Sequence, residues 1–143
     1  MSPFDRPASA EPAASALPGP FAVGAYAARL REQLRRFAHV QLIGEVWGVR
    51  AGRARVYFEL RDAAGALPCS IWRDQLERLG VTLADGLRVV AGGGCNYYPG
   101  SATSSPSFSF DVSELRLAGE GDLLAALARL RRRLDAEGLF ERQ

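Results

Sequence analysis

Residues 53–61 (RARVYFELR) alternate strictly between polar or aromatic side chains and small or apolar ones. Because successive side chains of a β-strand point to opposite faces, this alternation predicts a strand that is buried on one side only. The predicted buried face consists of Ala54, Val56, Phe58 and Leu60. The predicted outer face consists of Arg53, Arg55, Tyr57, Glu59 and Arg61. A fold that contains this strand must cover one face and leave three arginines around a tyrosine on the other.

The outer face of this strand has two interpretations. Arginine pairs with phosphates and an aromatic ring stacks on bases, so the arrangement suits an unpaired nucleic-acid strand. The other interpretation is a solvated strand face with one exposed tyrosine. These nine residues alone favour neither interpretation.

The distribution of charge is more informative than the net charge of +2, which is too small to indicate a partner. Residues 47–61 contain four arginines and one glutamate, a local balance of +3. Residues 62–122 contain four arginines and eight carboxylates, a balance of −4. Positive charge is thus concentrated around the alternating strand, as a groove for a polyanion requires.

The length of 143 residues, with 48% hydrophobic and 24% charged side chains, suits one globular domain with a buried core. Residues 1–20 contain five of the eight prolines and are expected to form a disordered tail, since such a segment buries little apolar surface. We expect no membrane association, because no apolar run reaches spanning length and no signal-peptide pattern is present. The expected location is the cytoplasm.

Zinc-site and catalytic motifs are not found in the sequence. The two cysteines, Cys69 and Cys95, lack CxxC spacing, and His39 is the only histidine. We therefore expect two buried free thiols, no metal ion and no cofactor. Catalysis needs converging groups, and no paired carboxylates, His–Cys pair or Ser–His–Asp set occurs at suitable spacing, so no catalytic residue is assigned.

Periodicity and turn residues predict three strands, a short helix and two more strands, flanked by a helix at each end. In order, the predicted elements are helix 23–37, strands 40–50, 53–61 and 66–72, helix 73–80, strands 86–98 and 108–117, and helix 122–137. The order β-β-β-α-β-β is that of the OB-fold, a five-stranded Greek-key barrel. We therefore predict a mainly β fold, with the OB-fold barrel in residues 21–118 and a C-terminal helical segment in residues 119–143.

The run Gly92-Gly93-Gly94 lies in the middle of the fourth predicted strand. Glycine inside a strand indicates a bulge or a sharp bend, as at a barrel corner. A phosphate-binding loop is excluded, because the Lys-Ser/Thr pair and the helix that such a loop requires do not follow.

An OB-fold binds oligonucleotides on its strand 2–3 face and with its 1–2 and 4–5 loops. The strand around Tyr57, the predicted turn at residues 50–53 and the loop at residues 99–107 fall on those elements. We expect arginines there to pair with phosphates and rings to stack on bases. The candidate phosphate-binding residues are Arg50, Arg53, Arg55 and Arg61. The candidate stacking residues are Tyr57, Trp47 and Tyr97.

The order and spacing of several short motifs resemble those of the exodeoxyribonuclease VII large subunit over about residues 21–140. The motifs are Phe21-Ala22-Val23, Gly44-Glu45-Val46, Tyr57-Phe58-Glu59-Leu60-Arg61-Asp62, Cys69-Ser70-Ile71-Trp72-Arg73, Val90-Ala91-Gly92 with Tyr97 and Pro99, and Glu137-Gly138-Leu139-Phe140. No single motif is diagnostic, but their order and spacing together are fairly specific.

In that family the large subunit begins with an OB-fold domain, continues into a nuclease domain and ends in a helical region that holds small subunits. The resemblance implies a hydrolase, a single-strand-specific DNA exonuclease, whose OB-fold domain presents the strand rather than cutting it. It implies single-stranded DNA as the partner of this chain, and the small subunit as a partner of regions outside it. The nuclease domain is expected to be absent from these 143 residues.

The sequence departs from the family pattern at three places. It has Trp47-Gly48 where the family usually has Ser-Asn, Arg55 in place of a histidine, and Gly93 where a basic residue is common. The family's DNA contacts are therefore not transferred to positions 47, 55 and 93. Arg61 keeps the charge of the usual lysine, and Tyr57 keeps the ring.

Two alternative functions stay open from the sequence. The predicted C-terminal helix has an apolar stripe, so the barrel and helix together suit an assembly module that binds protein. That stripe consists of Leu123, Leu127, Leu130 and Leu134. An RNA-binding or tRNA-binding module is the other alternative, since OB-fold faces accept either sugar.

Overall fold

The structure is a computed structural model that describes residues 16–136. Most of the predicted tail and the motif at residues 137–140 lie outside the described residues. The elements are α1 (Val23–Gln33), a 3₁₀ turn (Leu34–Phe37), β1 (Val40–Ala51), β2 (Arg55–Arg61), β3 (Ala66–Trp72), α2 (Arg73–Leu79), β4 (Arg88–Tyr98), β5 (Ser107–Leu117) and α3 (Glu120–Ala136).

The five strands form a closed barrel in the order β1-β2-β3-β5-β4. Neighbouring strands pair antiparallel except β3 and β5, which close the barrel in parallel. That closing seam has two paired positions, Cys69 with Phe110 and Ser70 with Asp111. The predicted fold, an OB-fold barrel with three helices, is confirmed.

Inward side chains from all five strands fill the barrel. The largest fully buried apolar side chains are Phe110, Ile71, Val46 and Val89. Burial along β2 alternates residue by residue, with Val56, Phe58 and Leu60 inside as predicted. Full burial of an aliphatic or aromatic side chain contributes roughly 1.5–3 kcal/mol, and a slip of one residue would expose all three. The core therefore determines which β2 side chains face outward.

The start of β2 differs from the prediction. The strand begins at Arg55 rather than at residue 53, because the Gly52 N–H donates to the Arg55 carbonyl at 2.7 Å and closes a tight turn. Arg53 therefore lies in the β1–β2 turn, and Ala54 is exposed instead of joining the buried face. The other strand boundaries shift by one or two residues, at Ala51, Arg88 and Ser107.

The Gly92-Gly93-Gly94 run lies at a shift in the register between β4 and β5, so the predicted bulge is confirmed. A Cβ on Gly93 would overlap the carbonyl oxygen of Asp111. A Cβ on Gly94 would lie 2.8 Å from the Cα of Ala38. Only glycine lets β4 pass this close to β5 and to the segment before β1.

The helices begin and end near the predicted positions. The first predicted helix divides into α1 and the 3₁₀ turn. α2 ends where Gly80 adopts a left-handed conformation, with φ of 74°. α3 begins two residues before the predicted start, because the Asp122 side chain accepts the Gly119 N–H at 2.8 Å and satisfies a donor of the first turn. No helix within residues 16–136 is long and apolar enough to cross a membrane.

Candidate nucleic-acid interface

The outward side chains of β1, β2 and β3 form a continuous surface, here named the outer face. Strand pairing sets these side chains next to one another as Trp47 with Glu59, Arg50 with Tyr57, and Arg55 with Trp72. Three aromatic residues on this face are exposed to solvent. The exposed fraction is 40% for Trp47, 39% for Tyr57 and 54% for Trp72. Exposed rings grouped on one side of a sheet offer a surface on which planar bases can stack.

Tyr57 lies between β1 and the β1–β2 turn. The Arg50 guanidinium carbon lies over its ring, 5.5 Å from the centroid, within the range of a cation–π contact. On the turn side, Gly52 packs so closely that a Cβ there would lie 3.0 Å from the Tyr57 Cε2. The ring is therefore held in place by its neighbours while part of it stays open to solvent.

Trp72 is the largest exposed ring of the outer face, and the sequence analysis did not assign it to the site. The Arg55 guanidinium carbon lies 4.0 Å from the centroid of its ring. A signal was present in the sequence, because Cys69 and Ile71 point inward and their alternation puts Trp72 outward. Its place as the last residue before α2 concealed this pattern.

A hydrogen-bond network centred on Ser70 fixes the other side of Arg55. Arg55 Nη1 donates to Ser70 Oγ at 3.0 Å, and Ser70 Oγ donates to Asp111 Oδ1 at 3.2 Å. Ser109 Oγ donates to Ser70 Oγ at 3.1 Å, and Arg55 Nη1 lies 3.6 Å from Asp111 Oδ1. Ser70 is 1% exposed, so its hydroxyl is satisfied by protein groups. Arg55 is thus bound within the face rather than extended into solvent.

Arg61 lies on the outer face but is paired with a carboxylate. Its Nη2 lies 2.6 Å from Glu59 Oε1, and its Nε donates to the same oxygen at 3.0 Å. Beside it, Trp47 Nε1 donates to Glu45 Oε1 at 3.1 Å, and Arg88 lies 3.5 Å from Glu45 Oε2. This end of the face is therefore close to electrical neutrality.

Arg50 and Arg53 differ from the other arginines of this region. Both are exposed, and neither has a carboxylate within 4.0 Å among the residues that the structure describes. Arg50 lies near the end of β1 and Arg53 in the turn that follows. The uncompensated positive charge of the outer face is therefore concentrated at the β1–β2 turn.

Tyr97 lies apart from the other predicted site residues. It is half-buried near the end of β4, where it pairs with Phe108 of β5. The following loop, residues 99–106, is held together by its own hydrogen bonds: Ser101 N–H donates to the Ser104 carbonyl at 3.0 Å, and the Tyr98 hydroxyl lies 2.8 Å from Ser104 Oγ. The structure thus brings together six of the seven predicted site residues, on the outer face and its turn.

The sequence matches a family model described as an OB-fold nucleic acid binding domain over residues 21–116. The chain belongs to this family. The match spans the barrel together with α1, and it ends one residue before the end of β5. The OB domain of this chain, residues 21–116, is therefore assigned by its family to the nucleic-acid-binding OB-fold domains.

Curated proteins similar to the OB domain are named exodeoxyribonuclease 7 large subunit. One from Erythrobacter litoralis is 38% identical over 125 residues, which cover 86% of this chain and 25% of that protein. One from Mycobacterium sp. (strain KMS) is 36% identical over 124 residues, covering 85% of this chain and 29% of that protein. The resemblance inferred from the motifs is confirmed, and the chain spans about a quarter of the length of these relatives.

Two solved structures share the fold of the OB domain. The Stn1–Ten1 complex of S. pombe aligns with a TM-score of 0.54 at 12% identity, covering 70% of this chain and 74% of that one. A replication protein A heterotrimer bound to single-stranded DNA aligns with a TM-score of 0.50 at 13% identity, covering 68% and 73%. At these identities the similarity establishes the fold alone.

The cysteines of the OB domain face inward. Cys69 is buried and Cys95 partly buried, and both are free thiols. Burial raises the pKa of Cys69 to about 12 and also raises the pKa of Cys95, so both thiols stay protonated at neutral pH. Among the described residues, no three His, Cys, Asp or Glu side chains cluster as metal ligands would.

The first part of α3 lies beside the Trp47 end of the outer face. A cavity of about 590 Å³ separates the helix from β1 and the β2–β3 turn. Its lining includes Trp47, Arg61 and Arg88 on the barrel side and Leu123, Ala126, Leu127 and Leu130 on the helix side. The helix thus borders the outer face without covering the Trp47 ring.

Proposed function

We propose that this domain binds single-stranded DNA across the outer face and presents it to a nuclease domain elsewhere in the full-length protein. The family assignment supports nucleic acid as the ligand, and the similarity to exodeoxyribonuclease 7 large subunits supports DNA. The chain itself holds and orients the strand. Cleavage of the phosphodiester bond is assigned to the rest of the protein.

One observation carries the proposal: the uncompensated Arg50 lies over the exposed ring of Tyr57, and the equally uncompensated Arg53 lies in the turn that follows β1. Phosphates are attracted to the free guanidinium groups, and an unpaired base can stack on the ring. Duplex DNA binds worse, because its bases are already stacked on one another. A solvated strand face, the alternative interpretation, does not account for three exposed rings on one side of the sheet.

The remaining predicted residues have secondary places in this proposal. Trp47 supplies a second ring at the far end of the face, and Arg61 contributes less than a free arginine because Glu59 neutralises it. In this proposal Tyr97, near the end of β4, contacts a DNA strand that extends beyond the outer face toward the loop at residues 99–106.

The activity of the whole protein is also a proposal. The chain spans about a quarter of the length of its curated relatives. We assign the single-strand exonuclease activity and the contact with the small subunit to regions of the full-length protein outside these residues. The proposed substrate is single-stranded DNA, and the proposed location is the cytoplasm.

A titration of fluorescein-labelled oligo-dT with the purified chain at several salt concentrations tests the proposal. We expect saturable binding that weakens as salt rises, with log K falling by about 0.7 per log unit of salt for each phosphate contacted. A duplex of the same length is expected to bind more weakly. Arg78→Ala is the matched control for the variants Arg50→Ala and Arg53→Ala. It removes one exposed arginine from α2, outside the outer face, and is expected to leave the affinity for oligo-dT unchanged.

Absence of binding at low salt would contradict the proposal, and so would equal binding of the duplex. Competition with the matched oligo-U measures the preference for DNA over RNA. Tighter binding of the RNA would overturn DNA as the ligand while leaving the face itself in place.

A second candidate function, protein assembly, is favoured by one observation. Leu124, Leu127 and Leu130 are exposed along α3. Exposed leucines in a row on a helix suit packing against another protein surface. If assembly is the main role, the double variant Leu124→Glu, Leu127→Glu abolishes the association of the chain, which light scattering measures. In that case Arg53→Ala leaves the affinity for DNA unchanged.

A further inference from the structure

A gradient of charge runs across the outer face and on to the neighbouring strand β5. Pairing in register sets four residues side by side in one row from β1 to β5: Arg50, Tyr57, Ser70 and Asp111. The row begins with an uncompensated cation and ends with a carboxylate. A polyanion on this row is attracted at the Arg50 end and finds no net positive charge at the other, where Arg55 and Asp111 compensate each other.

From this row we propose that the face sorts a bound strand into two tracks. Phosphates run along the β1–β2 turn past Arg50 and Arg53, and bases lie toward β3, where the stacked pair Arg55–Trp72 is a composite platform for a base. Arg55 is then a base-stacking residue and not a phosphate ligand. This proposal rests on the proposed function, since it assumes that the face binds single-stranded nucleic acid.

The surroundings of Arg55 argue against phosphate as its partner. Its Nη1 donates to Ser70 Oγ and lies 3.6 Å from the Asp111 carboxylate. A phosphate placed on Arg55 would meet that carboxylate at a similar distance, so attraction and repulsion largely cancel. Among the described residues, Arg50 and Arg53 have no such competitor within 4.0 Å.

The geometry of Arg55 and Trp72 favours stacking instead. The guanidinium carbon lies 4.0 Å from the centroid of the indole ring, and more than half of the Trp72 surface is open to solvent. A guanidinium group is planar and stacks on bases as an aromatic ring does. The hydrogen bond from Arg55 Nη1 to Ser70 Oγ fixes this plane, so the guanidinium group is ordered before the ligand arrives.

Tyr57 lies at the border between the two tracks. It pairs with Arg50 on one side and with Ser70 on the other. A base stacked on Tyr57 therefore has its phosphate within reach of the turn, and the next base within reach of the platform. Within residues 16–136, the Arg55–Asp111 pair leaves no uncompensated positive charge on the β5 side, so the phosphates of the bound strand stay on the side of the β1–β2 turn.

Arg55→Lys separates the two roles, since lysine keeps the charge but not the plane. We expect oligo-dT affinity to fall several-fold with the salt slope unchanged. Trp72→Ala is expected to lower affinity roughly 5- to 150-fold, also with the slope unchanged, and Trp72→Phe to retain most of it. Arg50→Ala and Arg53→Ala are each expected to reduce the slope by about 0.7.

A second measurement uses an oligomer of the same length with abasic sites, which keeps the phosphates and lacks the bases. We expect Arg55→Lys and Trp72→Ala to bind it as the unchanged chain does, whereas Arg50→Ala binds it more weakly. Near-unchanged melting temperatures establish that the variants are folded. The Trp47→Phe chain leaves Trp72 as the one tryptophan, and oligo-dT is expected to quench its fluorescence.

The outcomes separate this proposal from the proposed function. Failure of the unchanged chain to bind oligo-dT overturns both. Binding by the unchanged chain, together with a wild-type affinity for Arg55→Lys or a slope reduced by about 0.7 in Trp72→Ala, overturns the two-track arrangement alone.

Discussion

The Arg50 guanidinium lies over the Tyr57 ring, 5.5 Å from its centroid, and the two residues face each other across paired strands. A cation above an exposed ring provides a charge for a phosphate and a plane for the attached base within one nucleotide's reach. The β1–β2 turn helps to hold this pair in place, because Gly52 lies so close to the edge of the ring that a Cβ there would be 3.0 Å from Tyr57 Cε2.

Tyr57→Leu is expected to lower the affinity for oligo-dT by roughly 5- to 150-fold, since leucine fills the space without offering a stacking plane. Tyr57→Phe keeps the ring and is expected to bind nearly as well. Fluorescence anisotropy with labelled oligo-dT measures both. Equal affinity of the leucine variant would remove Tyr57 from the interface.

Gly52→Ala is expected to weaken binding through the turn rather than through a lost contact. The added Cβ would lie 2.9 Å from the Arg55 carbonyl oxygen and 3.0 Å from Tyr57 Cε2, so the turn and the ring must both shift. Gly65→Ala, in the β2–β3 turn, is the matched control because its Cβ would meet no atom within 4 Å. Reduced affinity in Gly65→Ala as well would show that the effect is not local to the ring.

Gly93→Ala is expected to destabilise the barrel by more than ~2 kcal/mol, because the new Cβ overlaps a backbone carbonyl of β5 that has no freedom to move aside. Gly24→Ala, in α1, meets open space and is expected to be neutral or to stabilise by up to about 1 kcal/mol. Urea unfolding followed by circular dichroism compares the two. A stable Gly93→Ala chain would contradict the close approach of β4 and β5.

Cys69 is expected to resist alkylation in the folded chain. Burial raises the pKa of its thiol to about 12, so at pH 8 almost no thiolate is present to react. Intact-mass spectrometry after iodoacetamide treatment should show no modification at Cys69 under native conditions and full modification in urea. Rapid native alkylation of Cys69 would mean that the β3–β5 seam opens readily.

The start of α3 is expected to loosen in acid. Hydrogen bonds from Arg116 and from the Gly119 N–H hold the pKa of Asp122 at about 2, below its ordinary value of 3.8. A depressed carboxyl pKa stabilises the fold fully above the ordinary pKa, and this contribution is lost as the pH falls through the folded value. The Gly119 and Leu123 amide signals in NMR should therefore shift between pH 4 and pH 2, and Asp122→Asn should abolish that transition.

Much of the barrel follows from local patterns in the sequence. The alternation through Val56, Phe58 and Leu60 correctly gave the inner face of β2, and the glycine run correctly gave the bulge in β4. The start of β2 was wrong by two residues, because a hydrogen bond across the Gly52–Arg55 turn removed Arg53 from the strand. Periodicity does not report such a bond.

The candidate site was less predictable than the fold. The alternation of β2 alone predicts Arg55 as a phosphate ligand, and it does not reveal the neighbours Ser70 and Asp111, which meet Arg55 only when β3 and β5 close the barrel. Likewise, the sequence pattern does not show that the charge of Arg61 is neutralised by an ion pair with Glu59. Contacts between residues that are far apart in the sequence leave no periodic signal in it. Neither do contacts that depend on the conformation of a side chain.

The seam between β3 and β5 consists of two paired positions, and one of them, Ser70 with Asp111, also anchors Arg55 on the outer face. The shortest strand pairing of the barrel therefore also positions the Arg55 platform that we propose for a base. A DNA base stacked on Arg55 would stabilise the β3–β5 seam from the outer face. Slower exchange of the seam amides with deuterium would then report that the outer face is occupied.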